Sequence, residues 1–280
     1  MPTKTVNGIT MNFVDEGTGP VLLLVHGFPL DHTMWQFQIA DLKTDLRVIA
    51  PDLRGFGESG VTPGAVTMAQ MADDLAGLLD SLSITEPVFF CGLSMGGYVA
   101  WQFLERHASR LAGAILCDTR AQADTSGERE TRLQTAEKVV KEGSAFLADS
   151  MPKKLFCELT HKEQPKLVND TKAVIRKTNP EGIAAAARGM AARPDVRERL
   201  PFIELPCLVI VGTDDAISSP EEMQKIAEDL PVSMFVEVPG AGHMSPLEAP
   251  DVVNAAILQF VQRLTTPPPE MEEAIDDEED

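Results

Sequence analysis

Short, uninterrupted apolar runs separated by longer helical patterns restrict the folds open to this chain of 280 residues. Such runs predict strands covered on both faces, because a strand with one face in water alternates apolar and polar residues. The clearest of them are Val21–Val25, Val88–Cys91, Leu111–Cys117 and Cys207–Val211. Since strands alternate with helices, we predict an α/β fold in which helices cover both faces of a mostly parallel sheet.

Residues 119–200 interrupt this alternation. They are polar or rich in alanine, and they carry helical patterns but no convincing strand. The patterns span Glu128–Glu142, Lys162–Lys177 and Pro180–Ala192. We therefore expect a core made of residues 1–118 and 201–266, with residues 119–200 as an inserted helical cap. Such a cap would lie over the carboxyl ends of the strands, where open α/β sheets bind ligands.

Ser94 lies in a G-x-S-x-G pattern, Gly92-Leu93-Ser94-Met95-Gly96, between a predicted strand and a predicted helix. A chain that reverses from strand to helix within a few residues leaves the central residue strained and exposed. The flanking glycines are needed because a Cβ atom there would collide with neighbouring backbone. Ser94 is therefore a candidate nucleophile, although a turn serine explains the five-residue pattern equally well when it is taken alone.

His243 is the candidate base that a serine hydroxyl needs near neutral pH. It lies in a glycine-rich loop directly after the last predicted strand, so it can reach the same edge of the sheet as Ser94. We read His26 as a structural residue that shapes the loop after its strand. The positions of His32 and His161 favour the surface, and that of His107 favours the end of a helix.

The third group, an acid that orients the imidazole, is expected at the end of another strand. Asp214 and Asp215 both follow the apolar run Cys207–Val211. Either aspartate also suits a turn or a helix cap, which is the usual role of such residues. Asp118 ends a different strand and is a further candidate.

Two backbone N–H groups are the candidates for an oxyanion hole. The residue after the serine, Met95, supplies one of them, and the loop after Val21–Val25 supplies the other. In that loop Gly27 permits a tight turn and Pro29 cannot donate, which leaves Phe28 as the simplest donor.

Taken together, these motifs resemble the α/β-hydrolase fold family of the serine esterase and lactonase type. The resemblance extends from about residue 3 to residue 264. It is carried by His26-Gly27-Phe28-Pro29, Asp52-Leu53-Arg54-Gly55-Phe56-Gly57-Glu58-Ser59, Gly92-Leu93-Ser94-Met95-Gly96-Gly97, Gly212-Thr213-Asp214-Asp215 and Gly242-His243. The order serine, aspartate, histidine along the chain is also that of the family.

The resemblance implies an eight-stranded, mostly parallel sheet with a variable cap and no cofactor. It selects Asp215 as the acid, because the family's acid usually follows the glycine at the strand end by three residues. Some members carry the acid on the earlier strand, which keeps Asp118 as an alternative. A serine rather than an aspartate at position 94 argues against haloalkane dehalogenase and epoxide hydrolase activity.

The expected activity is therefore cleavage of carboxylic esters or lactones of small molecules by a serine hydrolase with the triad Ser94, Asp215 and His243. Cofactor-free perhydrolases and C–C bond hydrolases share a similar scaffold, so both activities are alternatives. A ligand receptor with slow turnover is a further alternative. Methionines at positions 34, 95, 151 and 190, together with Trp35, suit an adaptable apolar pocket or ordinary core packing. Arg120 and Arg188 suit an anionic substrate or a solvated cap.

The net charge of −19 argues against nucleic acid and anionic membranes as partners. Residues 270–280 hold eight acidic residues and no basic one, so we expect residues 267–280 to form a disordered, acidic tail. The four cysteines lack C-x-x-C spacing and are expected to be reduced core thiols rather than metal ligands. The N-terminus lacks the apolar core of a signal peptide, which makes the cytoplasm the expected location.

Overall fold

A computed structural model describes residues 1–266 of the chain. An eight-stranded sheet with helices on both faces confirms the predicted fold class. The strands are β1 (Thr3–Val6), β2 (Ile9–Glu16), β3 (Val21–Val25), β4 (Arg47–Pro51), β5 (Val88–Leu93), β6 (Leu111–Cys117), β7 (Cys207–Gly212) and β8 (Ser233–Val238). The predicted acidic tail, residues 267–280, lies outside the described residues.

The sheet has the strand order β1-β2-β4-β3-β5-β6-β7-β8 and is antiparallel at one edge only. The hairpin of β1 and β2 turns at Asn7 and Gly8, both at positive φ (45° and 82°), and β2 then pairs antiparallel with β4. The strands β3 to β8 all run parallel to one another. Because β3 lies between β4 and β5, the strand order reverses there. Ligands of open α/β sheets bind at such a reversal, beyond the carboxyl ends of the strands.

The sheet divides the core into two clusters, and helices cover each of them on the outer side. The helices are α1 (Gln36–Leu42), α2 (Met68–Ser81), α3 (Met95–His107), α4 (Ser126–Glu142), α5 (Ala145–Ser150), α6 (Pro152–Leu155), α7 (Glu158–Glu163), α8 (Pro165–Lys177), α9 (Pro180–Ala191), α10 (Pro220–Asp229), α11 (Ser245–Glu248) and α12 (Pro250–Thr265). Leu23 faces the cluster of α2 and α3, whereas Leu22 and Leu24 face that of α1 and α12. This alternation explains why the run is apolar throughout, since successive side chains point to opposite faces.

Six of these helices, α4 to α9, lie in the segment 119–200, and no strand occurs there among the described residues. The predicted helical pattern Lys162–Lys177 corresponds to α8, which begins three residues later, at Pro165, because Lys162 and Glu163 belong to α7. The short helices α5 and α6 were not predicted. Gly182 of α9 packs directly against the backbone of Gly55, where an added Cβ would collide, so α9 lies on the loop after β4. The division of the chain into core and cap stays a prediction.

Within residues 1–266, no helix combines the length and the apolar composition that a membrane crossing requires.

Candidate active site

Ser94 is held in a strained turn between β5 and α3. Its φ of 54° and ψ of −110° are unusual for a residue with a side chain, and such a conformation costs on the order of 1–3 kcal/mol. A Cβ atom at Gly92 would collide with the Gly96 carbonyl, and one at Gly96 would collide with the Val25 carbonyl. Both glycines of the pattern are therefore required by close backbone approach, as predicted.

Backbone hydrogen bonds lead from Ser94 across the carboxyl edge of the sheet. The Ser94 N–H donates to the Cys117 carbonyl over 3.0 Å, which fixes the turn against the end of β6. The Asp118 N–H donates to the Ile210 carbonyl over 2.9 Å and joins β6 to β7. The Thr213 N–H donates to the Val238 carbonyl over 3.0 Å and joins β7 to β8. The ends of four strands are thus fixed relative to one another.

The structure brings His243 and Asp215 together. His243 Nδ1 lies 2.8 Å from Asp215 Oδ2, and both residues are buried. Because an ionised carboxylate can only accept, Nδ1 is the nitrogen that carries the proton in the neutral imidazole, and Nε2 is then the one with the lone pair. Asp215 Oδ1 accepts from the N–H groups of Ile217 (2.7 Å) and Ser218 (3.1 Å), which fixes the orientation of the carboxylate.

Ser94 and His243 follow strands that end at the same edge, but no hydrogen bond joins their side chains among residues 1–266. Catalytic hydrogen bonds are often long without a substrate and tighten when one binds. Asp214, the neighbour of Asp215, is exposed and makes no hydrogen bond to the imidazole within the same residues. The arrangement can therefore supply a base with an oriented, unprotonated Nε2 at the edge that carries Ser94.

Asp118 is fully buried beside these groups, but its partners differ. Its Oδ1 accepts from the Gly212 N–H over 2.9 Å, and its Oδ2 accepts from the Ser245 hydroxyl. Burial, followed by the negative charge of Asp215, raises the pKa of Asp118 well above its ordinary value. The raised pKa makes this carboxyl harder to ionise, and only an ionised carboxyl can stabilise a neighbouring imidazolium by its charge. The geometry therefore favours Asp215 over Asp118 as the partner of the imidazole.

The two candidate oxyanion donors flank Ser94. Met95 begins α3, so its N–H belongs to the first helical turn, where backbone N–H groups have no partner within the helix. On the other side, a Cβ atom added at Gly27 would lie only 3.5 Å from the Ser94 Cβ, which places the Phe28 loop against the serine. The helix dipole adds positive potential at the Met95 N–H.

His26 holds the Phe28 loop in place, as predicted. Its Nδ1 lies 3.0 Å from the Gly27 carbonyl, and its Nε2 accepts from the Leu53 N–H over 3.0 Å. Complete burial lowers the pKa of this imidazole, and a neutral ring is the form that can donate at one nitrogen and accept at the other. Thr178 adds a second tie, since its hydroxyl donates to the Pro29 carbonyl over 3.1 Å.

The other three histidines take structural positions. The expectation that His32 lies at the surface is wrong, because its side chain is only 13% exposed and Nδ1 lies 2.7 Å from Asp52 Oδ1. His107 ends α3 as predicted, and its Nε2 lies 2.8 Å from an Asp73 oxygen. His161 is half-buried, and its Nε2 lies 3.0 Å from the Pro152 carbonyl.

Asp31, His32 and Asp52 are the described residues whose ligand atoms cluster closely enough to suggest a metal site. The Asp52 oxygens already accept from Asn12 Nδ2 (2.8 Å) and from the N–H groups of His32 and Glu58 (3.0 Å each). Burial alone would raise the pKa of Asp52, but the hydrogen bonds from the His32 side chain and from the His32 and Glu58 N–H groups lower it to about 2. The cluster is thus a hydrogen-bonded support for the segment 52–59, not an open metal site.

A cavity of about 780 Å³ lies between α4, α5, α9 and the Phe28 side chain. Met151 and Met190 line it, in agreement with one reading of these residues, whereas Met34 and Trp35 are buried in the core. Arg120 forms ion pairs with Glu128 and Glu222, so its charge is already compensated. Phe28 lines this cavity and belongs to the loop that packs against Ser94, so the cavity is the candidate path for a substrate.

Two polar residues near the site were missed by the sequence analysis. Thr119 Oγ1 donates to the Ser94 carbonyl over 2.7 Å and supports the strained turn. Glu248 accepts hydrogen bonds from the backbone on both sides of His243. In the sequence Glu248 is only a glutamate five residues after the candidate base and two before Pro250, and its burial becomes visible only in the structure.

The comparisons with known proteins agree with this geometry. The model of the alpha/beta hydrolase fold family matches residues 20–250. A thermophilic esterase from Thermogutta terrifontis is 49% identical, with a TM-score of 0.92 over 94% of this chain and 97% of that protein. The enol-lactonase from Burkholderia xenovorans LB400 is 31% identical, with a TM-score of 0.87 over 93% of this chain and 100% of that one.

Among curated proteins, 3-oxoadipate enol-lactonase 1 of Acinetobacter baylyi is 32% identical over 245 residues, which cover 88% of this chain and 90% of that protein. The family model spans well over half of the chain, and the similarity to these proteins extends over nearly all of it. The serine turn, the aspartate–histidine pair and the fold lead to the same assignment: the chain belongs to the α/β-hydrolase fold family, within the esterase and lactonase type.

Proposed function

We propose that the chain is a serine hydrolase that cleaves carboxylic esters or lactones of small molecules. The observation that carries the proposal is the hydrogen bond between Asp215 and His243, which leaves Nε2 unprotonated at the edge where Ser94 is exposed by its strained turn. The esterase and enol-lactonase relatives support the same class of reaction.

In the proposed reaction Ser94 Oγ attacks the substrate carbonyl carbon while His243 Nε2 accepts the hydroxyl proton. Asp215 stabilises the imidazolium that forms. The N–H groups of Phe28 and Met95 donate to the oxygen that becomes negative, and each such donor contributes roughly 3–4 kcal/mol in the transition state.

The imidazolium then protonates the leaving alkoxide, and an acyl group remains on Ser94. A water molecule, deprotonated by the same nitrogen, attacks the acyl carbon and releases the carboxylic acid. With a lactone both products are one molecule, because the alcohol stays joined to the acyl chain. No step needs a metal or an organic cofactor.

Residues 119–200 act in this proposal as a cap that shapes the substrate path. Support comes from the cavity of about 780 Å³, whose walls are mostly helices of this segment and which reaches Phe28. Its lining combines apolar side chains, such as Met151 and Met190, with polar ones, such as Thr131 and Ser150. A flexible methionine adapts to substrates of different shape.

The test compares wild type with Ser94→Ala on p-nitrophenyl esters of short and long acyl chains and on simple lactones. Ser81→Ala is the matched control, because this serine ends α2 and, within residues 1–266, its hydroxyl bonds only the Leu78 carbonyl of the same helix. We expect Ser94→Ala to lose at least about 1000-fold in kcat with an unchanged melting temperature, and Ser81→Ala to keep wild-type turnover.

Other results would assign one of the alternatives. Turnover limited to one event per many minutes would fit a receptor, and cleavage of carbon–carbon bonds without ester hydrolysis would fit a C–C bond hydrolase. Formation of peracid from hydrogen peroxide at rates above hydrolysis would fit a perhydrolase. Full activity in Ser94→Ala would remove the proposal altogether.

A further inference from the structure

The Glu248 carboxylate is buried and is shared between two parts of the chain. Its Oε1 accepts from the N–H groups of Gly242 (2.8 Å) and Met244 (3.3 Å), the residues on either side of His243. Its Oε2 accepts from the Cys157 N–H (3.0 Å) and the Thr160 hydroxyl (2.6 Å) at the start of α7. Three backbone N–H groups and one hydroxyl therefore donate to the two oxygens of a single side chain.

Two further hydrogen bonds join the same two segments, which we call the His243 loop (residues 239–248) and segment 155–160. The Met244 N–H donates to the Leu155 carbonyl over 3.1 Å. Cys157 Sγ donates to the Gly240 carbonyl over 3.1 Å. Each of these bonds joins the His243 loop to the segment inserted between β6 and β7 rather than to the sheet.

Close packing makes the joint rigid. A Cβ atom at Gly242 would lie 2.7 Å from the Cys157 nitrogen and 3.2 Å from Glu248 Oε1, so the backbone before His243 rests directly on segment 155–160. A displacement of that segment must therefore move the His243 loop or break the shared hydrogen bonds. Because base and nucleophile must be aligned, a shift of about 1 Å costs roughly 100-fold in rate.

We propose that Glu248 is a positioning residue, which couples the placement of the His243 imidazole to the packing of segment 155–160. The inserted helices then determine the alignment of the base as well as the shape of the substrate path. The kinetic part of this inference rests on the proposed function. The structural coupling between the two segments does not depend on it.

The coupling is measured by hydrogen exchange, followed by mass spectrometry, on the full chain. Thr160→Val removes the hydroxyl that binds Glu248 Oε2 and preserves the shape of the side chain. Thr171→Val is the matched control, because this buried threonine lies on α8 and has no hydrogen bond to the His243 loop within the described residues.

Thr160→Val is expected to speed exchange at the amides of Gly242 and Met244 by about fivefold, the effect of one weakened hydrogen bond, although Thr160 bonds neither residue. The control is expected to leave these amides unchanged. If Thr160→Val speeds exchange only in segment 155–160, the two segments open independently and the proposal is wrong.

The kinetic measurement uses Glu248→Gln, whose NH₂ group cannot accept two of the four donors. We expect kcat to fall by about 10- to 100-fold while KM changes by less than about threefold, because alignment of the base affects chemistry more than binding. Thr160→Val should lower kcat by about fivefold with the same KM. If Glu248→Gln does not fold, the kcat and KM of Thr160→Val alone test whether Glu248 positions the base.

A rise in KM with unchanged kcat in these variants would show that Glu248 only shapes the substrate path, which overturns the proposal. A wild-type protein that hydrolyses no ester or lactone would refute the proposed function instead. The exchange experiment would then still decide whether Glu248 couples the two segments.

Discussion

Replacing Asp215 by asparagine isolates the contribution of the aspartate–histidine pair. The N–H groups of Ile217 and Ser218 donate to one oxygen of residue 215, at 2.7 and 3.1 Å. In the variant these donors hold the amide carbonyl on their side, at about 1 kcal/mol per hydrogen bond, and direct the NH₂ group to His243 Nδ1. Nδ1 must then accept, so the ring proton moves to Nε2, and Nε2 can no longer take the Ser94 proton.

The wrong tautomer costs about four orders of magnitude in kcat in chymotrypsin-like enzymes. We predict a loss of at least about 100-fold for Asp215→Asn, or about 2.7 kcal/mol of transition-state stabilisation. This bound is lower because the substitution removes the negative charge of Asp215, one of the causes that raise the pKa of Asp118, so the Asp118 carboxylate can replace part of the lost interaction. Turnover of a p-nitrophenyl ester measures kcat, and circular dichroism with thermal melting verifies the fold.

Asp118→Asn and Asp214→Asn are the matched controls. An asparagine at position 118 can still accept from the Gly212 N–H and can donate to the Ser245 hydroxyl, so the partners of the native side chain remain satisfied. Asp214 is exposed. Each change should cost less than about tenfold in kcat. A crippled Asp118→Asn beside a mild Asp215→Asn would show that the acid lies on β6 and that our reasoning is wrong.

Three further predictions concern stability. The raised pKa of Asp118 means that the folded chain holds a proton that the unfolded chain releases above its ordinary value of 3.8. In urea unfolding, wild type should therefore lose stability relative to Asp118→Asn as the pH rises above about 4. The pKa of Asp52 is instead lowered from 3.8 to about 2, so its contribution of about 2 kcal/mol is present above pH 4 and should be lost, relative to Asp52→Asn, as the pH falls to 2. Deleting residues 267–280 should change the melting temperature by less than about 5 °C by calorimetry, because so acidic a segment buries little apolar surface; a larger drop would show that it docks on the rest of the chain.

The parts of the site that could be predicted are those fixed by local backbone constraints. The need for glycine at positions 92 and 96 could be predicted, because a strand that turns into a helix around Ser94 leaves no room for a Cβ atom there. The partner of His243 could not be chosen from the local sequence, because Asp214 and Asp215 both suit a turn. Only the spacing typical of the family selected Asp215. The hydrogen bond between Asp215 and His243 agrees with that choice.

The parts that could not be predicted depend on residues far apart in the chain. Glu248 meets Cys157 across 91 positions, and Thr178 meets Pro29 across 149, and no local pattern marks either pair. The short helices α5 and α6 were missed for a related reason. Six and four residues are too few to show a helical period, and such helices are stabilised by packing rather than by their own sequence.

The most direct test of the account is to find where a fluorophosphonate probe binds covalently. Mass spectrometry of the digested protein should place the adduct on Ser94 alone, and labelling should slow by at least about 100-fold in His243→Ala, which lacks the base. Ser94→Ala should carry no adduct. An adduct on another residue, or a wild type that hydrolyses esters while Ser94 stays unlabelled, would contradict the claim that Ser94 is the nucleophile of this hydrolase.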